Sequence, residues 1–373
     1  MGRPVTDAML LAAALRDPAG FTETFSPSPF RAFGAPSLSH REREGAREAK
    51  PSGKGEGDNP NPWTTLLAMA RAEQLLGTLA IRLDGQPMPA AAARILADAR
   101  ISIAGQRRAA LWEAEAARRA LAGVGCPIVL LKGTAFAAAG LRAGEGRSIG
   151  DLDILVPRGA LDAVEAALLA AGWEWVKPDP YDDAYYRRWM HELPPLIHRD
   201  RDRMIDVHHT ILPLTARITP DAGALIADSV ALPSGLRVLA PNDMIVHAAA
   251  HLFADGDLAG GMRNLWDIHC LLEEFGAAGL AGRARHHGLW PAVARAARLA
   301  HALYGTAIPD DWRPRAALDP LYRRRLAARD GWGRPTRPLL RQAFYLRSHW
   351  LRMPPAMLAR HLWTKWRKGH RPT

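Results

Sequence analysis

Residues 126–156 read CPIVLLKGTAFAAAGLRAGEGRSIGDLDILV, an apolar run into Lys132-Gly133-Thr134, an Ala-rich stretch, a glycine-rich loop and a second apolar run carrying Asp151 and Asp153. The pattern predicts a strand, a short helix over 135–141, a loop at 143–146 and a second strand. Side chains at i and i+2 of a strand share a face at roughly 6.5–7 Å spacing, so Asp151 and Asp153 project together while Leu152, Ile154 and Val156 cover the other face. Two carboxylates this close raise each other's pKa unless a cation lies between them, which points to a hard metal such as Mg²⁺.

A second run repeats the logic. Leu196 to Arg199 and Met204 to His208 flank the charged turn Asp200-Arg201-Asp202-Arg203 and predict a hairpin. With Ile205 and Val207 on the core face, Met204, Asp206 and His208 share the other. A third carboxylate is thereby offered to the same centre if this strand lies beside the Asp151–Asp153 strand. His209 falls on the opposite face, with no chemistry expected of it.

Outward from these runs, 5–16 predicts a short helix and 19–62 loses periodicity in Pro, Gly, Ser, Glu and Arg, the signature of a loosely attached linker. Residues 63–83 and 89–122 have helical spacing. A helix over 158–171 precedes an extended segment at 173–176, and 181–192 is a polar, aromatic loop or short helix over the site. A small extended excursion is expected at 232–239. Helices follow at 241–253, 261–275 and 290–303, and the remainder is helical in pieces broken by Pro335, Pro338, Pro354 and Pro355. His247 and His251 stand at i, i+4, a spacing that can bind zinc, but no third ligand is evident and core packing is expected. Asp267 is expected to cap or pair within its helical domain.

The domain plan is therefore a short helix and linker (1–62), a helical part (63–125), a core (126–240), a helical domain (241–311) and a basic tail (312–373). The fold class is α+β, a small mixed sheet with helices packed on it. The chain has 373 residues, a net charge of +11 and two cysteines, Cys126 and Cys270, too few for a disulfide framework or a thiolate zinc site. From Trp312 onward, 16 Lys and Arg face only Asp319 and Asp330, so the excess charge resides in the tail. There Trp350, Trp363 and Trp366 alternate with basic residues. Such a tail suits an anionic membrane surface or nucleic acid, or else packs on its own domain with its charges in water. No apolar run approaches 18 residues and the N-terminus has no export pattern, so a cytoplasmic protein is expected, with peripheral membrane contact as an option.

Taken together, Leu131-Lys132-Gly133, Arg147, Asp151-Leu152-Asp153-Ile154-Leu155-Val156, Ile205-Asp206-Val207-His208 and the later Trp266-Asp267-Ile268 resemble the bacterial uncharacterised nucleotidyltransferase family, within the superfamily that includes DNA polymerase beta. The resemblance spans about 65–300. It implies a nucleotidyltransferase core that moves a nucleoside monophosphate from a nucleoside triphosphate (NTP) to a hydroxyl on a small molecule, protein or RNA end. Asp151, Asp153 and Asp206 would be catalytic and would hold two Mg²⁺ about 3.5–4 Å apart. Lys132, Gly133, Thr134 and Arg147 would contact the nucleotide, through backbone N–H groups at the helix start, the Thr134 hydroxyl and the two cations. His208, expected beside Asp206, either supports the metal site or touches substrate, or is purely structural. The alternative is a non-catalytic relative kept as a binding or scaffold module in a biosynthetic pathway. Neither the acceptor nor the choice of NTP is encoded in a recognisable motif.

Overall fold

A computed structural model describes residues 7–25, 61–176, 180–314, 316–355, 358–359 and 363. Among them, seven short strands form one mixed sheet: β1 (Val129–Leu130), β2 (Leu152–Leu155), β3 (Trp173–Trp175), β4 (Leu196–His198), β5 (Met204–His208), β6 (Val230–Ala231) and β7 (Arg237–Val238). Their order is β3-β4-β5-β2-β1-β7-β6. β1 and β2 are antiparallel, as are β4 and β5, the expected hairpin. β5 lies beside β2 in parallel, with Asp153 opposite Asp206. The excursion near 232–239 is the β6–β7 hairpin, which extends the sheet past β1.

Period-two alternation sets the two faces of β2 and β5, and β2 is buried on both. Ile205 and Val207 are sealed in the core, as are Leu152 and Ile154, which leaves the aspartates on the opposite face. A continuous apolar core joins Leu11 and Leu15 near the N-terminus, Leu130 and Ile154 in the sheet, Ile245, Leu271 and Val293 in the later helices, and Phe344 near the end.

Several elements depart from expectation. The region after residue 19 is not wholly linker: Pro18–Phe25 is helical. Phe21 stacks against Phe25 at 4.9 Å and edge-on to Trp63 at 5.6 Å, while the Trp63 indole N–H donates to the Phe25 carbonyl at 3.1 Å. These aromatic contacts come from residues some forty positions apart, beyond the reach of local periodicity. The rest of the expected linker, 26–60, lies outside the described residues. The 63–83 stretch divides into Pro62–Ala72 and Leu76–Arg82 where Gln74 takes a φ of 56°. The helix after β1 spans Lys132–Ala138, starting three residues before the expected 135, directly from the strand.

The glycine-rich loop is a packing device. Gly146 has a φ of 66°, and a Cβ there would meet the Thr78 backbone at 2.5 Å, so the loop lies flush on Leu76–Arg82. In the tail, Pro338 opens the helix Pro338–Arg352 instead of breaking it. That helix is docked on the body: Phe344 meets Tyr322 edge-on at 5.0 Å, and Arg347 donates to the Phe253 carbonyl at 2.7 Å. Trp366 lies outside the described residues. Among those described, no helix is long and apolar enough to cross a membrane.

Candidate active site

Asp151 stands just before β2, Asp153 within it, and Asp206 in register on β5. One carboxylate oxygen from each lies within 4.8 Å of the others. Asp151 is exposed, Asp206 half-buried and Asp153 buried. The three therefore line a wall open to solvent at one end, the geometry expected for ions that must meet a substrate.

The charges are unequal in their environment. Asp153 Oδ1 accepts from Lys132 Nζ at 2.6 Å and lies 3.0 Å from His208 Nε2. Burial opposes its ionisation, but the Lys132 ammonium and His208 outweigh it and hold the carboxyl well below the usual range. Asp206 has no such partner. Burial, then the charges of Asp153 and Glu192, push it up to about 7, and its Oδ1 is buried without a hydrogen-bond partner. An unpartnered carboxylate oxygen beside two further carboxylates is a centre short of positive charge. This donor set, all hard oxygens, fits a divalent cation of the Mg²⁺ type.

Lys132 takes a φ of 49°, in the left-handed region that costs an L-residue roughly 1–2 kcal/mol. The conformation turns the chain from β1 into the helix and brings the ammonium over Asp153. Burial disfavours the charged ammonium, but Asp153 more than compensates and raises its pKa. Lys132 also lines a cleft with Phe136, Arg147, His247, His251, Asn264 and Asp267.

The remaining expected nucleotide contacts are less open. Arg147 is paired with Asp267, which also pairs with Arg263 one turn earlier on Gly261–Phe275. Asp267 thus reaches across to the loop before β2 as well as pairing within its own helix. Gly133 exists for this approach: a Cβ there would lie 2.6 Å from Arg147 Nε. Thr134 is buried, its hydroxyl without a partner. His247 is buried against the cleft beside Lys132, and His209 is buried with its backbone N–H bonded to the His191 carbonyl at 2.9 Å. Among the described residues, neither His247 nor His251 belongs to a group able to hold a metal.

Two residues escaped the sequence pattern, His191 and Glu192. Glu192 forms an antiparallel bridge with His208, and its Oε2 lies 3.4 Å from His208 Nδ1. The following Pro194-Pro195 ends any alternation, so no periodicity marks them; the one local signal is a His-Glu pair just before an extended run.

Residues 59–305, about two thirds of the chain, match the family described as uncharacterised nucleotidyltransferase. The chain belongs to that family. The match takes in all seven strands, the aspartate triad and the helix bearing Asp267, and leaves out the first helices and the basic tail. No curated protein matches this family member.

Proposed function

We propose that the protein is a Mg²⁺-dependent nucleotidyltransferase that joins a nucleoside monophosphate to a hydroxyl acceptor. The observation that carries the proposal is the in-register placement of Asp153 and Asp206 on neighbouring strands, with Asp151 completing a three-carboxylate centre. In the reaction an acceptor oxygen bonds to the α-phosphorus of an NTP, the bond to pyrophosphate breaks, and the hydroxyl proton leaves to a base. Divalent cations held by Asp151, Asp153 and Asp206 would supply a more acidic acceptor hydroxyl and charge neutralisation for the phosphates. Asp206, at the edge of the carboxylate group, would assist in taking the acceptor proton. Lys132 holds Asp153 in its ionised form and would offer its charge to the phosphates. Arg147 borders the same cleft and, through Asp267, ties the Lys132 helix to Gly261–Phe275.

The test is transfer of label from α-labelled ATP, CTP, GTP and UTP to protein, RNA or small-molecule fractions with Mg²⁺ present. Mg²⁺-dependent transfer that Asp151→Asn abolishes is expected. Absence of transfer, with nucleotide binding indifferent to the triad, leaves the non-catalytic scaffold.

The tail supports a peripheral contact with an anionic membrane surface. On Pro338–Arg352, Leu339, Ala343, Leu346 and Trp350 recur at i, i+4, i+7 and i+11 on the solvent side, with Leu339 85% and Trp350 46% exposed. After Asp330 the sequence has ten Lys and Arg and no carboxylate. An apolar stripe with basic flanks suits a headgroup boundary better than a phosphate backbone, which gains nothing from exposed leucines. Flotation with phosphatidylserine vesicles is expected for the wild type and lost in Leu339→Ser/Leu346→Ser; flotation unaffected by that change removes the assignment.

A further inference from the structure

A second group of side chains able to hold a metal lies next to the aspartates. We propose that His191, Glu192 and His208 form a separate site for a transition-metal ion of the Zn²⁺ type, coupled to the carboxylate centre through Asp153.

One donor atom from each of the three residues lies within 4.8 Å of the others. Glu192 Oε2 is 3.4 Å from His208 Nδ1 and 3.8 Å from His191 Nε2. A tetrahedral ion with bonds near 2.0–2.1 Å separates its ligand atoms by about 3.4 Å, so small rotamer adjustments close the set. The backbone holds the cluster in place. His209 N–H donates to the His191 carbonyl and Leu193 N–H to the Val207 carbonyl, both at 2.9 Å, which straps 191–193 along β5.

The observation that points to a ligand is His208 Nδ1. The residue is 3% exposed, and this nitrogen is buried without a hydrogen-bond partner although a carboxylate oxygen stands 3.4 Å away. Its other nitrogen lies 3.0 Å from Asp153 Oδ1. An ion at this nitrogen would give the buried, orphaned atom a partner and bridge it to the Glu192 carboxylate. The carboxylate–imidazole pair behind the ligand is also the arrangement that fixes a metal-bound histidine. Two imidazoles and a carboxylate select a borderline ion over Mg²⁺, and three protein ligands leave a fourth position open.

The experiment titrates chelator-treated, full-length protein with Co²⁺ in excess Mg²⁺ and follows the visible absorption of tetrahedral cobalt. One equivalent is expected to bind, to be displaced by Zn²⁺, and to weaken by at least about tenfold in His191→Ala and Glu192→Gln. Asp151→Asn should leave the spectrum unchanged. Absence of the band in wild type overturns the proposal, as does a band that survives both substitutions. A band lost in Asp151→Asn also overturns it, because the ion then sits in the aspartate triad. Melting temperatures in chelator, where neither His191 nor Glu192 has an ion to hold, show whether the variants fold. A wild-type melting temperature indifferent to Zn²⁺ counts against the site whatever the variants do. The cobalt spectrum does not depend on nucleotide turnover, so its failure and that of nucleotidyl transfer are separate results.

Discussion

The two halves of residues 126–156 behave differently. The second half, the β2 strand, places Asp153 where alternation says it must be, with Asp151 just before it, because strand geometry fixes a side chain's direction from its neighbours alone. The first half, Lys132 to Gly146, is shaped by distant partners: Lys132 by Asp153 and Arg147 by Asp267, while Gly146 is fixed by the backbone of Thr78. Its glycines serve close packing of the chain on itself. A candidate centre of this kind divides into proposed ligands, which a strand can specify locally, and supports, which only the assembled fold specifies.

Substitutions should separate the two classes. Asp151→Asn or Asp206→Asn is expected to lower the transfer rate by roughly a thousandfold or more, the scale of losing a group that acts in the transition state, while folding is kept. Metal-free Asp206→Asn should melt at or above the wild-type temperature at pH 8, since it removes a carboxylate that burial and Asp153 disfavour. A variant that melts well below wild type would place Asp206 among the supports.

Lys132→Met should do the reverse, destabilising the fold by about 3–5 kcal/mol because Asp153 is left buried without its ammonium. Denaturant unfolding checks this; a stable but inactive Lys132→Met would make Lys132 a substrate group only. Gly133→Ala should cost about 1–3 kcal/mol, because its methyl meets Arg147 Nε and the Arg147–Asp267 pair must shift. Unchanged stability there would mean that the pair is not a support.

The smallest effect is in pH. Asp206, raised to about 7 in the metal-free protein, binds a proton in the folded state that the unfolded chain has already released above its ordinary carboxylate range. Metal-free stability should therefore fall as pH rises from about 4 to about 7 through this group, and Mg²⁺ affinity should rise over pH 6–8 with release of a proton. Calorimetry in buffers of different ionisation enthalpy measures that proton. No release would show that Asp206 is already ionised without metal.

The fold class and the triad were legible because they rest on period-two alternation and on a third aspartate in a second strand of the same pattern. The β4–β5 hairpin was legible for the same reason. The Pro18–Phe25 helix was not, since its stability comes from Trp63 beyond the linker. Nor was the role of Asp267, whose partner Arg147 is 120 residues away. His191 and Glu192 were hidden because a single bridge to His208, not a periodic element, brings them to the site.

The most direct measurement is calorimetric titration of NTP in the presence of Mg²⁺ into wild type and into Asp151→Asn/Asp206→Asn. Mg²⁺-dependent binding to wild type is expected, with at least about a hundredfold weaker binding to the double variant, the scale of losing two of three proposed metal ligands. Equal Mg²⁺–nucleotide affinity in the two proteins would contradict that expectation.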